Sequence, residues 1–288
     1  MRINNERVTS HKALTPVQNV KGLYFKRDDL FQPFDITEVN GGKCRQCYCL
    51  VEHIKDNYAG VISCCSIHSP QAPITSAVAR HFRMPCTIFY GGTTTERVKS
   101  LPMPEIVLRN GAMIQIASKS GRHNILYNKA RKYAEENNYF VVEYGFNIID
   151  FADIMFSAVS NQVENIPDEI DNLIITCGSG ITTIGVILGI KKFNKKVNTL
   201  HLVCTAPSRK KLIETAMQEH GIEIDIVYHD LFHRKGFVYE KGINVVYENI
   251  KLHPHYEAKA FSWLYHESGI DIHNNRNLFW IVGSMPEK

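Results

Sequence analysis

Short apolar runs alternate along this chain with longer segments in which apolar residues recur at the spacing of one helix face. The runs are rich in β-branched and aromatic residues, which favours strands. Predicted strands are residues 23–27, 61–66, 86–90, 112–117, 140–143, 173–177, 199–204, 222–227 and 279–282. Predicted helices are 44–57, 74–82, 125–137, 151–162, 182–193, 209–220 and 256–266, with a partly helical stretch at 97–110. Such alternation is typical of an α/β fold with parallel sheets.

Length and charge narrow the classes of protein that fit this pattern. The 288 residues are near the size at which chains divide into two domains. No apolar run approaches the ~20 residues of a membrane span, and the first residues lack the apolar segment of a secretory signal. The net charge of +4 is mild and spread along the chain, so it does not indicate a nucleic-acid partner. We expect a cytoplasmic homodimer with a small-molecule substrate.

Eight cysteines raise the question of a metal site or disulfides. Only Cys44 and Cys47 have the spacing of a zinc-binding pair, and they lie in a predicted helix rather than on a turn. Most of the others fall in predicted strands, where a free cysteine packs as a small apolar residue. We therefore expect reduced, buried thiols and no bound metal.

The motif Asn40-Gly41-Gly42-Lys43 places a lysine amine directly after two glycines, where a helix is about to begin. Glycines let the backbone turn tightly and approach a ring closely. A lysine at that point can form a Schiff base with a carbonyl. The same residues also fit a solvated turn with an exposed lysine, so the rest of the chain must decide.

A second motif, Gly178-Ser179-Gly180, joins an apolar strand directly to a helix. Such a turn points backbone N–H groups and the positive end of the helix at an anion. The hydroxyls of Ser179, Thr182 and Thr183 add further donors. The loop lacks the GK[ST] of a Walker A motif and the complete GxGxxG pattern. It fits either a phosphate site or a tight turn in which the threonines only cap the helix.

Two more helix starts carry polar residues. In Ser69-Pro70-Gln71 the serine is placed to cap the following helix, and the same geometry would hold a carboxylate on free N–H groups. Tyr256 and Glu257 open the helix near the end of the chain. The glutamate there fits a partner for the helix dipole, and the tyrosine fits an ordinary core residue.

Together these motifs resemble one enzyme family. In chain order they are Lys26-Arg27-Asp28-Asp29, Gly41-Gly42-Lys43, Ser69-Pro70-Gln71, Gly178-Ser179-Gly180 and Pro254-His255-Tyr256-Glu257-Ala258-Lys259. This order is similar to that of the pyridoxal-phosphate (PLP) enzymes of the tryptophan-synthase-β fold, or fold type II. The closest branch is that of 1-aminocyclopropane-1-carboxylate deaminase and D-cysteine desulfhydrase. The resemblance runs from residue 23 to 286 and implies a two-domain, three-layer α/β/α protein.

The resemblance implies how PLP would be bound. Lys43 matches the lysine that forms the Schiff base and shuttles a proton during the reaction. The matching phosphate-binding loop consists of Gly178, Ser179, Gly180, Ile181 and Thr182. Glu257 matches a glutamate facing the pyridine nitrogen, which would keep that nitrogen protonated and strengthen the ring as an electron sink.

The resemblance also implies which residues meet an amino-acid substrate. Ser69 and Gln71 match the segment that holds the substrate carboxylate. Tyr256 matches a tyrosine near the substrate, and Tyr239 matches a second one at a shorter spacing than the family shows. His68 follows cysteines that replace family glycines. It is either a polar substitute in the substrate site or a plain loop histidine.

Three departures from the family bear on the reaction. Pro70 stands where the family has an asparagine that contacts the cofactor ring oxygen, and proline has no donor to offer. Gln46 replaces a basic residue three positions after the lysine, which weakens one phosphate contact. The chain is also shorter than typical members. Loss of residues around the cofactor pocket would leave the pocket more open, so we expect it to admit a bulkier amino acid or one attached to a carrier.

The predicted organisation is a large PLP-binding domain of residues 1–49 and 150–288, with a small α/β domain of residues 50–149 inserted in it. Lys43 would lie at their junction. The leading hypothesis for the function is a PLP-dependent lyase or deaminase that eliminates ammonia or a β-leaving group. A second is decarboxylation or β-replacement on a bulkier adduct, such as an amino acid carried on a nucleotide. A third is a protein that kept the fold and lost catalysis.

Overall fold

Two largely parallel β-sheets form the framework of the molecule. A computed structural model describes residues 6–36, 38–118, 123–143, 145, 149–239 and 241–283. The strands are β1 (Val17–Val20), β2 (Leu23–Arg27), β3 (Gly60–Cys64), β4 (Cys86–Gly91), β5 (Met113–Ser118), β6 (Tyr139–Val142), β7 (Glu169–Cys177), β8 (Lys196–Cys204), β9 (Asp225–Asp230), β10 (Val246–Tyr247), β11 (Ile250–Lys251) and β12 (Asn277–Ile281). The helices are α1 (Gly42–Ile54), α2 (Gln71–His81), α3 (Thr95–Lys99), α4 (Pro102–Arg109), α5 (His123–Asn137), α6 (Ala152–Ser160), α7 (Ile181–Lys192), α8 (Lys210–Glu219) and α9 (Glu257–His266).

The larger sheet has six strands in the order β1-β2-β12-β7-β8-β9, and the smaller has four in the order β5-β4-β3-β6. Only β1 runs antiparallel to its neighbour in these sheets. A separate short hairpin pairs β10 with β11. The predicted α/β class with mostly parallel sheets is confirmed.

Most predicted elements are present with shifted ends. The stretch at 97–110 divides into α3 and α4 at Pro102, which occupies the first turn of α4, where a proline is tolerated. The strand predicted at 222–227 lies instead at β9, because residues 222–224 belong to the turn that precedes it. The sequence reasoning missed β1 and the hairpin of β10 and β11, which are short and partly exposed.

Close helix packing fixes the part of the large sheet that carries the site. Gly185 and Gly189 of α7 face α6 and the turn after it, and a Cβ added at either would lie 2.6 Å from Val159 or 2.4 Å from Val163. These glycines therefore let α7 approach its neighbour closely. Since α7 begins at the end of β7, this packing holds the preceding loop in place.

The apolar core continues between the two sheets through α1. This helix packs against α2 on one side and α6 on the other, and its buried residues join one cluster with Met155 and Ile181. The predicted boundary between residues 49 and 50 falls inside α1, so the division into two domains remains a proposal. No helix in the described part of the chain is long and apolar enough to cross a membrane.

Candidate active site

A cavity opens at the carboxyl edge of the large sheet. In parallel α/β sheets this edge is where ligands bind, because loops and helix N-termini meet there. The described residues that line the cavity are Lys43, Pro70, Thr176, Gly178, Ser179, Gly180, Thr182, Thr183, Tyr256, Glu257, Val282 and Gly283. We call the lining residues from the start of α1, the end of β7 and the turn into α7, the start of α9 and the end of β12 the large-sheet wall. Residues 69–71 form the small-sheet wall.

Lys43 enters the cavity from the first turn of α1. Gly41 adopts a φ of +90°, and a Cβ there would lie 2.5 Å from the carbonyl oxygen of Gly283. Only glycine fits this approach, which brings the start of α1 against the end of β12. The amine of Lys43 has no hydrogen-bond or ion-pair partner among the described residues. Burial lowers the pKa of Lys43, and the negative charge of Glu257 opposes that shift only partly.

A buried ion pair supports α1 beneath the lysine. Arg45 Nη1 lies 2.7 Å from Asp28 Oδ1, and both side chains are almost fully buried. Thr15 donates to the same carboxylate at 2.9 Å. Although burial alone would raise it, the pKa of Asp28 is held below its ordinary value by Arg45 and Lys26. Breaking such a pair leaves an uncompensated buried charge, so it fixes the start of the helix.

The Gly178-Ser179-Gly180 turn presents backbone donors to the cavity. Gly180 adopts a φ of +86° as the residue before α7, and the first turn of that helix has no acidic residue. A Cβ added at Gly178 would meet no atom within 4 Å, so the loop borders open space. Thr176 Oγ1 is buried beside it without a partner. An anion at this helix end would be favoured by the helix dipole and free N–H groups.

Glu257 lies across the cavity with one satisfied and one unsatisfied oxygen. Its side chain is fully buried. Oε1 accepts the Val282 N–H at 3.1 Å, whereas Oε2 has no partner. A Cβ at Gly283 would lie 2.4 Å from Oε2, so the backbone packs directly on this carboxyl. Burial raises the pKa of Glu257 to about 7, and a cationic donor at Oε2 would reverse that penalty.

Tyr256 lines the cavity, and its hydroxyl hydrogen-bonds to that of Tyr239. The segment carrying Tyr239 is held from α9. Lys259 Nζ donates to the carbonyls of Val238 at 2.9 Å and Tyr239 at 3.1 Å, and His255 Nδ1 donates to the second carbonyl at 3.2 Å. The structure therefore brings together the two tyrosines that the resemblance paired.

The small-sheet wall is satisfied internally. Ser69 Oγ accepts the Gln71 N–H at 3.2 Å. The Gln71 amide donates to the carbonyl of Glu143 at 2.8 Å and accepts the N–H of Gly145 at 2.8 Å. Only Pro70 of this wall lines the cavity, and its side chain is apolar. The Gln71 amide is thus engaged with the protein itself, and the Ser69 oxygen accepts a backbone N–H at the start of α2.

The structure separates the predicted site residues into two groups. Those that line the cavity are Lys43, Gly178, Ser179, Gly180, Thr182, Tyr256 and Glu257, and those outside its lining are His68, Ser69, Gln71, Ile181 and Tyr239. The side chain of Ile181 is in the core between the sheets. Sequence reasoning missed Thr176, Val282 and Gly283. Their positions could have identified them, since each lies at or directly after the carboxyl end of a predicted parallel strand.

The cysteines are free thiols, all buried except Cys49, which is partly exposed. Burial raises the pKa of the Cys44 and Cys65 thiols. Within the described ranges, no group of three or more His, Cys, Asp or Glu side chains is placed to hold a metal ion.

Comparison with known proteins gives a family and two kinds of relative. Residues 5–230 match the model of a family described as pyridoxal-phosphate dependent enzymes. A curated relative, the O-seryl-dTMP PLP-dependent decarboxylase of Salmonella phage ViI, is 25% identical over an alignment that covers 92% of this chain and 78% of the relative.

Solved structures share the fold at low identity. A homologue of ACC deaminase superposes with a TM-score of 0.72 at 19% identity, covering 98% of this chain and 92% of that one. The serine racemase of Dictyostelium discoideum gives 0.64 at 12%, covering 96% and 94%. O-acetylserine sulfhydrylase isoform 3 of Entamoeba histolytica gives 0.64 at 14%, covering 99% and 91%. The fold is that of the tryptophan-synthase-β-like enzymes, as predicted.

The cofactor is pyridoxal 5'-phosphate, and the cavity fits it. An unpartnered lysine amine is available for its aldehyde, and an unpartnered carboxylate oxygen for its pyridine nitrogen. The turn before α7 supplies N–H donors for its phosphate. The space beside Gly178 accommodates a group that a side chain there would displace.

Proposed function

The chain belongs to the pyridoxal-phosphate dependent enzymes, and on this premise we propose that it decarboxylates an amino acid carried on a nucleotide. Lys43 is the proposed Schiff-base lysine. The substrate class is that named for the phage relative, a serine joined through its oxygen to dTMP. The cavity between the two sheets is the proposed site for the amino-acid part of this substrate.

The character of the small-sheet wall is the observation that carries this proposal. A deaminase keeps the substrate carboxylate, whereas a decarboxylase must release it as carbon dioxide. Hydrogen-bond donors that bind the substrate carboxylate stabilise the ground state. These hydrogen bonds weaken as the negative charge moves to the α-carbon, so they would slow decarboxylation. In this chain Pro70 offers no donor, the Gln71 amide is already engaged, and the Ser69 oxygen caps α2 outside the cavity lining. An apolar wall beside a departing carboxylate favours its loss.

The large-sheet wall supplies the remaining groups. When bound, PLP supplies the sink for the electron pair left by the departing carboxylate. Glu257 Oε2 would hold the proton of the pyridine nitrogen. The reaction balances when the bond from the α-carbon to the carboxyl breaks, carbon dioxide leaves and one proton is added to the α-carbon. Lys43 lies in the cavity with a lowered pKa, which suits transfer of that proton.

The products from labelled substrate test this proposal. Seryl-dTMP carrying ¹³C in its carboxyl group would be incubated with the PLP-loaded enzyme, both as the free nucleotide and within a short DNA strand. We expect labelled carbon dioxide and an amine that stays attached to the nucleotide. Free serine should give neither product at a comparable rate, and Lys43→Ala should be inactive. Labelled pyruvate with no labelled carbon dioxide would contradict decarboxylation.

The second candidate function is the elimination that the sequence first suggested. The hydrogen-bonded pair of Tyr256 and Tyr239 favours it, because hydroxyl donors beside the cavity could protonate a group leaving from the β-carbon. This reaction would release ammonia, and the labelled carboxyl group would remain in the pyruvate that forms. Bound PLP with no product from any amino acid or adduct would instead support a protein that has lost catalysis.

A further inference from the structure

Gln46 leaves the phosphate turn without one cation that the family places on α1. The family's basic residue three positions after the lysine is here Gln46, which is 1% exposed. Its amide nitrogen is buried without a partner and carries no charge. A phosphate dianion at Gly178-Ser179-Gly180 would therefore rest on neutral donors and the helix dipole, unless a cation comes from another element.

Arg209 lies against this turn from the neighbouring strand. It precedes α8, at the end of the loop that follows β8, and β8 pairs directly with β7. A Cβ added at Gly180 would lie 3.3 Å from Arg209 Cβ and 3.6 Å from its Cγ. The stem of the arginine thus packs on the residue that begins α7.

The guanidinium of Arg209 is available for a ligand. It has no hydrogen bond or ion pair within the described part of the chain, and the residue is exposed. By contrast, the adjacent Lys210 lies 3.6 Å from Glu214. Neither α7 nor α8 has an acidic residue in its first turn. Two helix N-termini and one unpaired guanidinium therefore share this part of the edge, a strongly anion-attracting arrangement.

The positive charge of Arg209 also affects the buried end of β7, next to the same turn. The pKa of Cys177, the residue directly before the turn, is lowered mainly by a hydrogen bond with Cys204 against the opposing effect of burial, and Thr183 and then the charge of Arg209 lower it further. The guanidinium therefore acts electrostatically on the strand end from which the turn begins.

We propose that Arg209 binds a phosphate monoester at the Gly178-Ser179-Gly180 turn and supplies the cationic contact that Gln46 does not. Its planar fork can hold two phosphate oxygens at once. The monoester has two possible sources, the cofactor or the nucleotide of the substrate. Only the second source rests on the proposed function.

Binding measurements with and without the phosphate separate these sources. Cofactor-free protein would be titrated with PLP and with pyridoxal, and PLP-loaded protein with dTMP and with thymidine. We expect Arg209→Met to weaken one phosphate-bearing ligand by about 10- to 100-fold, the range of a hydrogen bond between charged groups. The affinity for the matching phosphate-free ligand should change less than about twofold, because that ligand lacks the phosphate oxygens that the guanidinium would hold.

Two variants control the experiment. Arg83→Met removes an exposed arginine on the turn after α2, at the opposite edge of the small sheet, and should change no affinity. Arg209→Lys keeps the charge without the fork and should give an intermediate loss. Selective weakening of PLP assigns the arginine to the cofactor, and selective weakening of dTMP assigns it to the substrate. Equal affinities in Arg209→Met and wild type, or equal losses with and without phosphate, would overturn the proposal. Because the PLP arm measures binding alone, it holds even if decarboxylation fails.

Discussion

The two walls of the cavity differ in how their polar groups are satisfied. On the large-sheet wall, Thr176 Oγ1 and Glu257 Oε2 are buried without partners, and the Lys43 amine has none among the described residues. On the small-sheet wall, the Gln71 amide and the Ser69 hydroxyl are bonded to the protein itself. A buried polar atom without a partner costs about 1–3 kcal/mol. Such atoms on one wall alone indicate that this wall binds a polar ligand.

This difference explains why the family resemblance holds for the cofactor and weakens for the reaction. The lysine, the phosphate turn and the glutamate that would meet PLP lie on the unsatisfied wall and match the family. Ser69 and Gln71, which the resemblance assigns to the substrate carboxylate, lie on the satisfied wall, where Pro70 also removes the donor that the family directs at the cofactor ring oxygen. Under the proposed function, one wall would bind the cofactor, and the other would lack the side-chain donors with which a deaminase would hold the carboxylate.

Among substitutions on the large-sheet wall, removal of Lys43 should have the largest effect. Lys43→Ala should lose the absorption band of the cofactor–lysine linkage near the visible edge and all turnover, because no other described amine lines the cavity. Absorbance spectra of protein purified with added PLP would measure this. Lys251→Ala, at an exposed lysine of β11, is the matched control and should keep both. A band retained in Lys43→Ala would contradict the assignment.

Glu257→Gln should lower turnover by about 100-fold, since a neutral amide cannot hold the pyridine nitrogen in its charged form. It should also change the pH dependence of the cofactor-free protein. With its pKa raised to about 7, the wild-type carboxyl binds a proton that the unfolded chain has released above about pH 4.5. The free energy of unfolding should therefore fall by about 3 kcal/mol between pH 4.5 and 7 because of this group.

The test of that pH dependence is a difference between two proteins. Buried His253 has a pKa lowered to about 3 and His229 one lowered to about 4, so both make stability rise over part of the same pH range. These contributions are common to wild type and Glu257→Gln and cancel on subtraction. Urea unfolding of both at several pH values should show wild type losing its advantage as the pH rises. Parallel curves would mean that Glu257 is not protonated in the fold.

Gln71→Met tests whether the small-sheet wall is structural. It should lower the free energy of unfolding by about 2–4 kcal/mol, because the Glu143 carbonyl and the Gly145 N–H lose buried partners. PLP affinity should stay within about threefold, since the Gln71 side chain does not line the cavity. Urea unfolding and PLP titration would measure the two effects. A large loss of PLP affinity at unchanged stability would place Gln71 in the site instead.

Pro70→Asn should have the smallest effect and the most specific one. Besides restoring the family's donor to the cofactor ring oxygen, the new amide adds a donor to the cavity lining that is available to the substrate carboxylate, so KM for the nucleotide adduct should fall. The rate of carbon dioxide release should fall by about tenfold, because that bond is lost as the carboxyl departs. Steady-state kinetics would separate the two constants, with Pro70→Ala as the control. A rate of carbon dioxide release that rises in Pro70→Asn would contradict the role of the apolar wall.

The sequence predicted most of the fold because buried parallel strands are continuous apolar runs. β7 and β12 were found for this reason, whereas β1 was missed because its sequence, VQNV, is short and half polar. In the site, Lys43 and the Gly178-Ser179-Gly180 turn were predictable because each depends on neighbouring residues only.

The remaining features depend on contacts distant in the chain. The Gln71 amide is used by backbone groups 72 and 74 positions away, which no local pattern reveals. Gly283 joins the site through the pairing of β12 between β2 and β7. Arg209 lies beside the phosphate turn because β8 pairs with β7, so its position in the sequence alone does not indicate a role at the site.

Chemical trapping tests most directly which wall holds the cofactor. The PLP-loaded protein would be reduced with borohydride, digested and mapped by mass spectrometry. We predict that the pyridoxyl group is on Lys43, in the segment that follows Gly41-Gly42. The other buried lysines, Lys26 and Lys259, already donate to carbonyl groups and should be unmodified. A pyridoxyl group on either of them, with Lys43 unmodified, would contradict the account.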